Sequence, residues 1–225
     1  MSYLCRNKIY EKVKPFKDAK KIYIFCEGER TEIGYFIYFK GFVSNIDIIP
    51  IPNENGKSDP KKLKVNAELF FNGNDVIKPQ GTISIEQKDE IWFVIDTDRW
   101  NEGKKIENLK SYCKSKNTEY NGWAVAQSNP CFEIWQFYHF FDKKPDKTEV
   151  AIFSSFKKFM NNKVQGGFDN RKMPIEIQQA IINSETNFEV ENEQPKLYST
   201  EVFRLAKVIF SFTKEQINKC AVAGT

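Results

Sequence analysis

The sequence predicts an α/β protein: a mostly parallel sheet flanked by helices, followed by a C-terminal helical extension. Three observations lead there. Short runs rich in β-branched and aromatic residues recur at Lys21–Cys26, Ile46–Ile51, Glu90–Ile95 and Trp123–Gln127. Segments of helical character separate them. After Thr148 the strand signal stops and only helical segments follow. Strand alternating with helix is the pattern of crossover connections, which parallel pairing requires.

Each element has a local reason. KIYIFC is apolar on both faces, as a central strand must be. The loop Glu27–Arg30 follows, and Thr31 is the expected N-cap of a helix over Glu32–Phe42. Pro52 closes the second strand, and Asn53–Asp59 is a polar loop. Asp59 or Ser58 can cap a helix that starts at Pro60 and runs to about Phe71. Gly73–Lys88 mixes Asn, Gly and Pro without periodicity and reads as an insertion, drawn as a hairpin. A helix from about Lys104 to Lys116 precedes the fourth strand. Asn129 is then the expected cap of a helix from Pro130 to about Phe140. Three more helices are expected at Thr148–Asn161, Pro174–Asn183 and Thr200–Lys219, with Asn183–Leu197 a polar connector. The last carries Val202, Leu205, Ala206, Ile209 and Phe210 in a helical stripe. The chain thus divides into a basic segment over 1–20, an α/β core over 21–145 and a helical extension over 146–225 packed on the core.

Composition narrows the function. Of 225 residues 40% are hydrophobic and 15% aromatic, which excludes a disordered chain. The net charge of +4 permits a polyanionic partner without requiring one. In the first segment Arg6, Lys8, Lys12, Lys14, Lys17 and Lys20 face only Glu11 and Asp18, which fits a solvated lead-in or an arm on nucleic-acid phosphates. The five cysteines show no C-x-x-C spacing and there is one histidine, so neither a zinc site nor a disulfide framework is expected. No apolar run approaches the ~20 residues of a spanning helix, and the N-terminus has no signal-peptide core. The expectation is a cytoplasmic protein without membrane contact.

The chemistry sits where apolar runs end in acids. Glu27 ends the first, beside Gly28, which allows a tight turn. Asp96 and Asp98 end the third, and their i, i+2 spacing puts both on one face of an extended segment. Carboxylates at strand ends are how open α/β sheets build sites. Clustered carboxylates repel one another unless a cation sits among them, and hard oxygen ligands select Mg²⁺ or Mn²⁺. The expected site is metal-dependent and acts on phosphate, with Glu27 as a further ligand or the general base. Arg30 and Arg99 flank the acids and can clamp a phosphate or neutralise the cluster. Glu32, in the first turn of its helix, suits the macrodipole or the site. Asn129 and Glu133 lie at a further strand end, and His139 sits in the aromatic run WQFYHFF, where a core role competes with an accessory one. The tetrapeptide NGKS at Asn55–Ser58 lacks the upstream glycine of a phosphate-binding loop; Ile51 stands there.

Taken in order, EGERTE with YF after it, SDP at Ser58–Pro60, VIDTDR at Val94–Arg99, SNPCFEIW with HF after it, and STEVFRLAKVI resemble the RloB-like family. The strand ending in Glu27 and the later strand ending in Asp96-Thr97-Asp98 resemble the Toprim core of topoisomerases, bacterial primases and overcoming-lysogenization-defect nucleases. The resemblance implies a Toprim-like fold, a Mg²⁺-dependent nuclease, a role in prokaryotic defence against phage or foreign DNA, and an ATPase partner. It places the family glutamate at Glu27 and the aspartate pair at Asp96 and Asp98. Glu32, Ser128, Asn129, Glu133 and His139 fall on signature positions to which it gives no role. No tyrosine domain of the topoisomerase kind and no primase accessory domain is present. Two readings follow: an endonuclease on DNA or RNA, or a non-enzymatic regulatory or nucleic-acid-binding subunit whose ATPase partner does the work. A monomer and a homodimer fit equally.

Overall fold

β1 (Lys20–Cys26), β2 (Ile46–Ile51), β3 (Glu90–Asp96) and β4 (Trp123–Asn129) form on the four apolar runs. They line up in the order β2-β1-β3-β4 and are parallel. The computed structural model describes residues 12–53, 59–97 and 104–222, without the side chains of 221 and 222. β1 is central: it pairs with β2 from Lys20 opposite Ile46 to Phe25 opposite Ile51, and with β3 from Ile22 opposite Glu90 to Cys26 opposite Val94. That placement explains its composition, since Ile22, Tyr23, Ile24, Phe25 and Cys26 are all buried.

The crossovers are α1 (Thr31–Ile37), α2 (Pro60–Asn72) and α3 (Lys105–Lys116). From β1 the chain moves through α1 to β2 on one side; from β3 it moves through α3 to β4 on the other. The sheet therefore reverses direction between β1 and β3. Open α/β sheets as a class take their ligands at the carboxyl ends of strands at such a switch point.

Among the described residues, compactness groups 12–95 with 104–125, and 96–97 with 126–222. The division at 145/146 drawn from the sequence falls inside the second unit. In the first unit the core lies between the sheet and α2 and α3, built on Tyr23, Phe25, Phe93, Leu63, Ile106 and Leu109. Phe25 stacks on Phe93 at 5.5 Å. Asp89 is fully buried and ties three segments together. Its Oδ1 accepts from Lys21 N at 2.7 Å, its Oδ2 from Ser84 N at 2.8 Å, and its carbonyl from the Tyr120 hydroxyl at 2.6 Å. The insertion 73–88 forms no strand; it is held as turns by bonds such as Tyr23 Oη to Thr82 O at 2.8 Å. α2 begins as expected, with Asp59 accepting from Lys61 N at 2.8 Å and Pro60 in its first turn. α1 starts one residue early, with Arg30 and not Thr31 at the N-cap, and stops at Ile37. Beyond it the bonds tighten to the i→i−3 pattern as far as Phe42, and Gly41 takes φ +78. These tight turns bury Tyr38, Phe39 and Phe42.

The second unit is less regular than the sequence predicts. α4 is only Glu133–Phe137, because Asn129 does not cap it: Asn129 Nδ2 donates to Pro195 O at 2.8 Å, after which the Asn129–Pro130 bond is cis. The expected helix 148–161 is two, α5 (Lys147–Ala151) and α6 (Phe156–Lys163). Ser155 caps α6 by accepting from Lys158 N, and a cap inside a helical run ends one helix to begin another. A 3₁₀ turn over Met173–Glu176 leads into α7 (Ile177–Thr186). The polar connector contains a hairpin, β5 (Val190–Glu191) and β6 (Gln194–Pro195), turned by Asn192 and Glu193 at φ +50 and +60. β7 (Ser199–Thr200) then pairs antiparallel with the end of β4, Ser199 opposite Asn129 and Thr200 opposite Ser128. α8 (Val202–Val222) buries the predicted stripe at Val202, Leu205, Ala206 and Ile209, and packs on α7. Among the described residues no helix is long and apolar enough to cross a membrane.

His139 belongs to the aromatic interior of this unit. It is buried, its Nδ1 lies 3.0 Å from Trp135 O, and the Trp135 and Phe168 rings meet it edge-on. Burial drives its pKa down to about 3. The folded state therefore binds its proton more weakly than the unfolded state. The resulting stability is present above the unfolded value near 6.5 and is lost as pH falls towards 3. His139→Leu, which cannot titrate, should remove this component. Between pH 7.5 and 5, denaturant unfolding should show the wild type losing about 2 kcal/mol more than the variant. Equal losses would refute the buried neutral imidazole.

Candidate functional site

The β1 end is built first. Glu27 N donates to Val94 O at 3.0 Å, so the chain is still held against β3 as it leaves the sheet. Glu32, 6% exposed, folds back from α1 so that its Oε1 accepts from Gly28 N at 3.2 Å. A Cβ at residue 28 would meet that carboxylate and displace it, so glycine is what lets Glu32 approach this closely. Glu32 thus braces the turn that carries Glu27, a role beyond favouring the helix dipole. Burial, and then the Glu32 charge, push the Cys26 thiol well up. Glu27 itself is half-buried, and Arg30 is exposed.

The β3 end is fixed through Thr97. Thr97 N and Oγ1 both donate to Ser128 O at 2.8 Å, and Thr97 Oγ1 accepts from Gln127 Nε2 at 2.8 Å. Ser128 Oγ and Thr200 Oγ1 share a bond of 2.8 Å. Glu201 exchanges two bonds with Gln127: its Oε2 accepts from Gln127 N at 3.3 Å and its N donates to Gln127 O at 2.8 Å. All of these groups are buried. Side chains alternate along an extended segment, so a threonine turned into this network sends its neighbour Asp96 to the other side. Asp96 is half-buried, with one carboxylate oxygen shielded from solvent. Asp98 and Arg99 lie outside the described residues.

Asp96 does not stand by itself in its unit. The Cys131 thiol is pushed far up by burial, then by the charges of Glu133 and Asp96, and it shares a hydrogen bond with Glu133. Burial and both carboxylates therefore favour the protonated thiol at Cys131. Glu133 also pairs with Lys157 at 3.7 Å. Asn129 is engaged by Pro195 O, and His139 by the aromatic interior.

The donors on offer are carboxylate oxygens, which suit a hard cation such as Mg²⁺ or Mn²⁺. Among the described residues no group of three or more His, Cys, Asp or Glu side chains is placed to hold a metal ion.

Sequence reasoning found the strand-end acids but missed their supports: Thr97, Gln127, Thr200 and Glu201, together with Lys157. A signal was there. Gln127 and Ser128 are polar residues at the end of a buried strand, which need partners. Thr97→Val keeps the shape of the side chain but leaves Gln127 Nε2 without its acceptor. The variant should be destabilised by about 1–3 kcal/mol in denaturant unfolding, and Thr97→Ser by much less. A neutral Thr97→Val would show that the network is dispensable.

No curated protein and no solved structure matches the chain. A family model described as RloB-like protein matches residues 22–209. The match takes in Glu27, Asp96 and the bracing residues at both strand ends, together with the first eight residues of α8. The chain belongs to the RloB-like protein family.

Proposed function

We propose that the protein is a Mg²⁺-dependent nuclease of the Toprim type, with Mn²⁺ as a substitute, acting on DNA or RNA in prokaryotic defence. The observation that carries this reading is the switch point. Parallel neighbours β1 and β3 send the chain off in opposite directions, and each hands over to an acid, Glu27 after one and Asp96 at the end of the other. Membership in the RloB-like family supports the same reading.

In this proposal Asp96 and Asp98 would hold the cation and Glu27 would complete the set or take the proton of the attacking water. A divalent cation, when bound, supplies charge stabilisation on the phosphate oxygens. The chain supplies the rest. Glu32 keeps the Glu27 turn in place through Gly28 N. Thr97 keeps Asp96 turned away from the β4 network. Arg30, exposed beside Glu27 in the chain, can take a non-bridging phosphate oxygen, as can Arg99. An ATPase partner would gate or direct the activity.

The test is incubation of purified protein with supercoiled, linear and single-stranded DNA and with RNA, with and without Mg²⁺ or Mn²⁺. Cleavage should depend on the divalent ion. Asp96→Asn and Glu27→Gln should each lower it by about 100-fold or more while leaving the fold intact. Full activity in Asp96→Asn would remove that residue from the mechanism. A wild type that cleaves nothing until the ATPase is added would favour the regulatory-subunit reading.

A further inference from the structure

The first unit carries a concentration of positive charge that the strand-end site does not use. α2 and α3, counted with their N-caps Asp59 and Lys104, hold eight lysines against three acids, an excess of +5 where the whole chain carries +4. The two helices lie side by side. Lys105 Nζ reaches the α2 N-cap Asp59 at 3.1 Å, and Lys64 Nζ sits 4.7 Å from the centre of the Tyr112 ring.

Exposure sorts these charges. The glutamates Glu68 and Glu107 are half-buried, and Glu68 faces Lys64. The exposed positions of the pair carry Lys61, Lys62, Lys104, Lys114 and Lys116, with Val65, Asn72, Asn108, Ser111 and Ser115 among them, and no acid. Lys61, Lys62, Lys104 and Lys114 make no ion pair among the described residues. In α6, by contrast, Lys157 and Lys163 are each matched to a glutamate.

The first turn of α2 adds a second argument. It holds Lys61 and Lys62 and no acid, and the carboxylate of the N-cap Asp59 is engaged by Lys61 N and by Lys105. A helix start is itself positive, so cations there oppose the dipole and cost stability.

We propose that the exposed faces of α2 and α3 seat the phosphodiester backbone of a nucleic acid. Lysine, asparagine and serine are the side chains that contact phosphate without reading sequence. A same-sign stripe matches a uniformly charged backbone better than a folded acidic protein, whose charges alternate with cations. From Lys104 to Lys114 the helix rises about 15 Å, room for about four nucleotide steps of 3.4 Å. The seat also has a direction. β1, β2 and β3 are parallel, and α2 and α3 begin where β2 and β3 end. The first-turn lysines therefore stand at the edge of the sheet where β1 gives way to Glu27. The inference rests on the nucleic-acid part of the proposed function and not on cleavage.

The test is binding of fluorescently labelled single- and double-stranded 20-mers of DNA and RNA, followed by anisotropy in EDTA across a salt series. The full chain with Lys61, Lys62 and Lys114 changed to Glu should bind at least about tenfold more weakly, with the slope of log affinity against log salt reduced by about 2–3. The same triple changed to Gln should fall between. A control triple in the other unit, Lys143, Lys158 and Lys214 to Glu, makes the same change in net charge and should stay within about threefold of wild type. Reversal at Lys61 and Lys62 favours the helix dipole, so the variant should fold, with an unchanged circular dichroism spectrum. Equal losses in the two glutamate triples, or a wild type that binds no nucleic acid, would overturn the seat. A wild type that binds through this face yet never cleaves would overturn the nuclease and leave the seat standing.

Discussion

The constraint on which the structure depends is the double pairing of β1. Its hydrogen bonds run to β2 on one side and β3 on the other, in parallel register on both. A strand held this way needs apolar side chains on both faces, and its crossovers must leave and return by helices. With β2 reached from β1 on one side and β4 from β3 on the other, the sheet has a switch point between its two best-buried strands. Glu27 is then the first residue free of β1, and Asp96 the last residue of β3. Neither acid could be moved by one position without turning its side chain to the opposite face.

A carboxylate at a strand end is useful only if the turn that carries it is held still. The two ends are braced in different ways. At β1 the brace is one buried carboxylate, Glu32, that replaces a side chain at residue 28 and accepts from its backbone. At β3 it is a chain of neutral hydroxyl and amide groups ending on a second buried acid, Glu201. Each works through a local partner that desolvation makes costly to lose. The short strand β7 is what brings Thr200 and Glu201 to β4, so the C-terminal segment helps set the geometry of the β3 end as well as forming α8.

The sheet was legible because its signals are strong and redundant. Four apolar runs, a proline at the first turn of α2 with Asp59 before it, and the stripe on α8 all correspond to observed elements. What could not be read depends on contacts remote in sequence. Asn129 is an ideal cap by residue type, yet Pro195, 66 positions on, takes its amide. Serines at 154 and 155 break a helix that periodicity would continue. Two-residue strands such as β7 have no periodicity to detect. The acids Glu27 and Asp96 were visible because they interrupt apolar runs. Their supports were not, because a threonine, a glutamine and a glutamate acquire meaning only once β7 lies beside β4. The basic faces of α2 and α3 were present in the sequence as scattered lysines; the packing of the two helices makes them one surface.

The central proposal is that the strand-end carboxylates Glu27 and Asp96 contribute to divalent-cation binding. Titration of Mn²⁺ followed by electron paramagnetic resonance tests it without any substrate or partner. Wild-type protein should bind Mn²⁺, and Glu27→Gln and Asp96→Asn should each weaken binding by at least about tenfold. Unchanged Mn²⁺ affinity in both variants, with the fold intact, would contradict the claim.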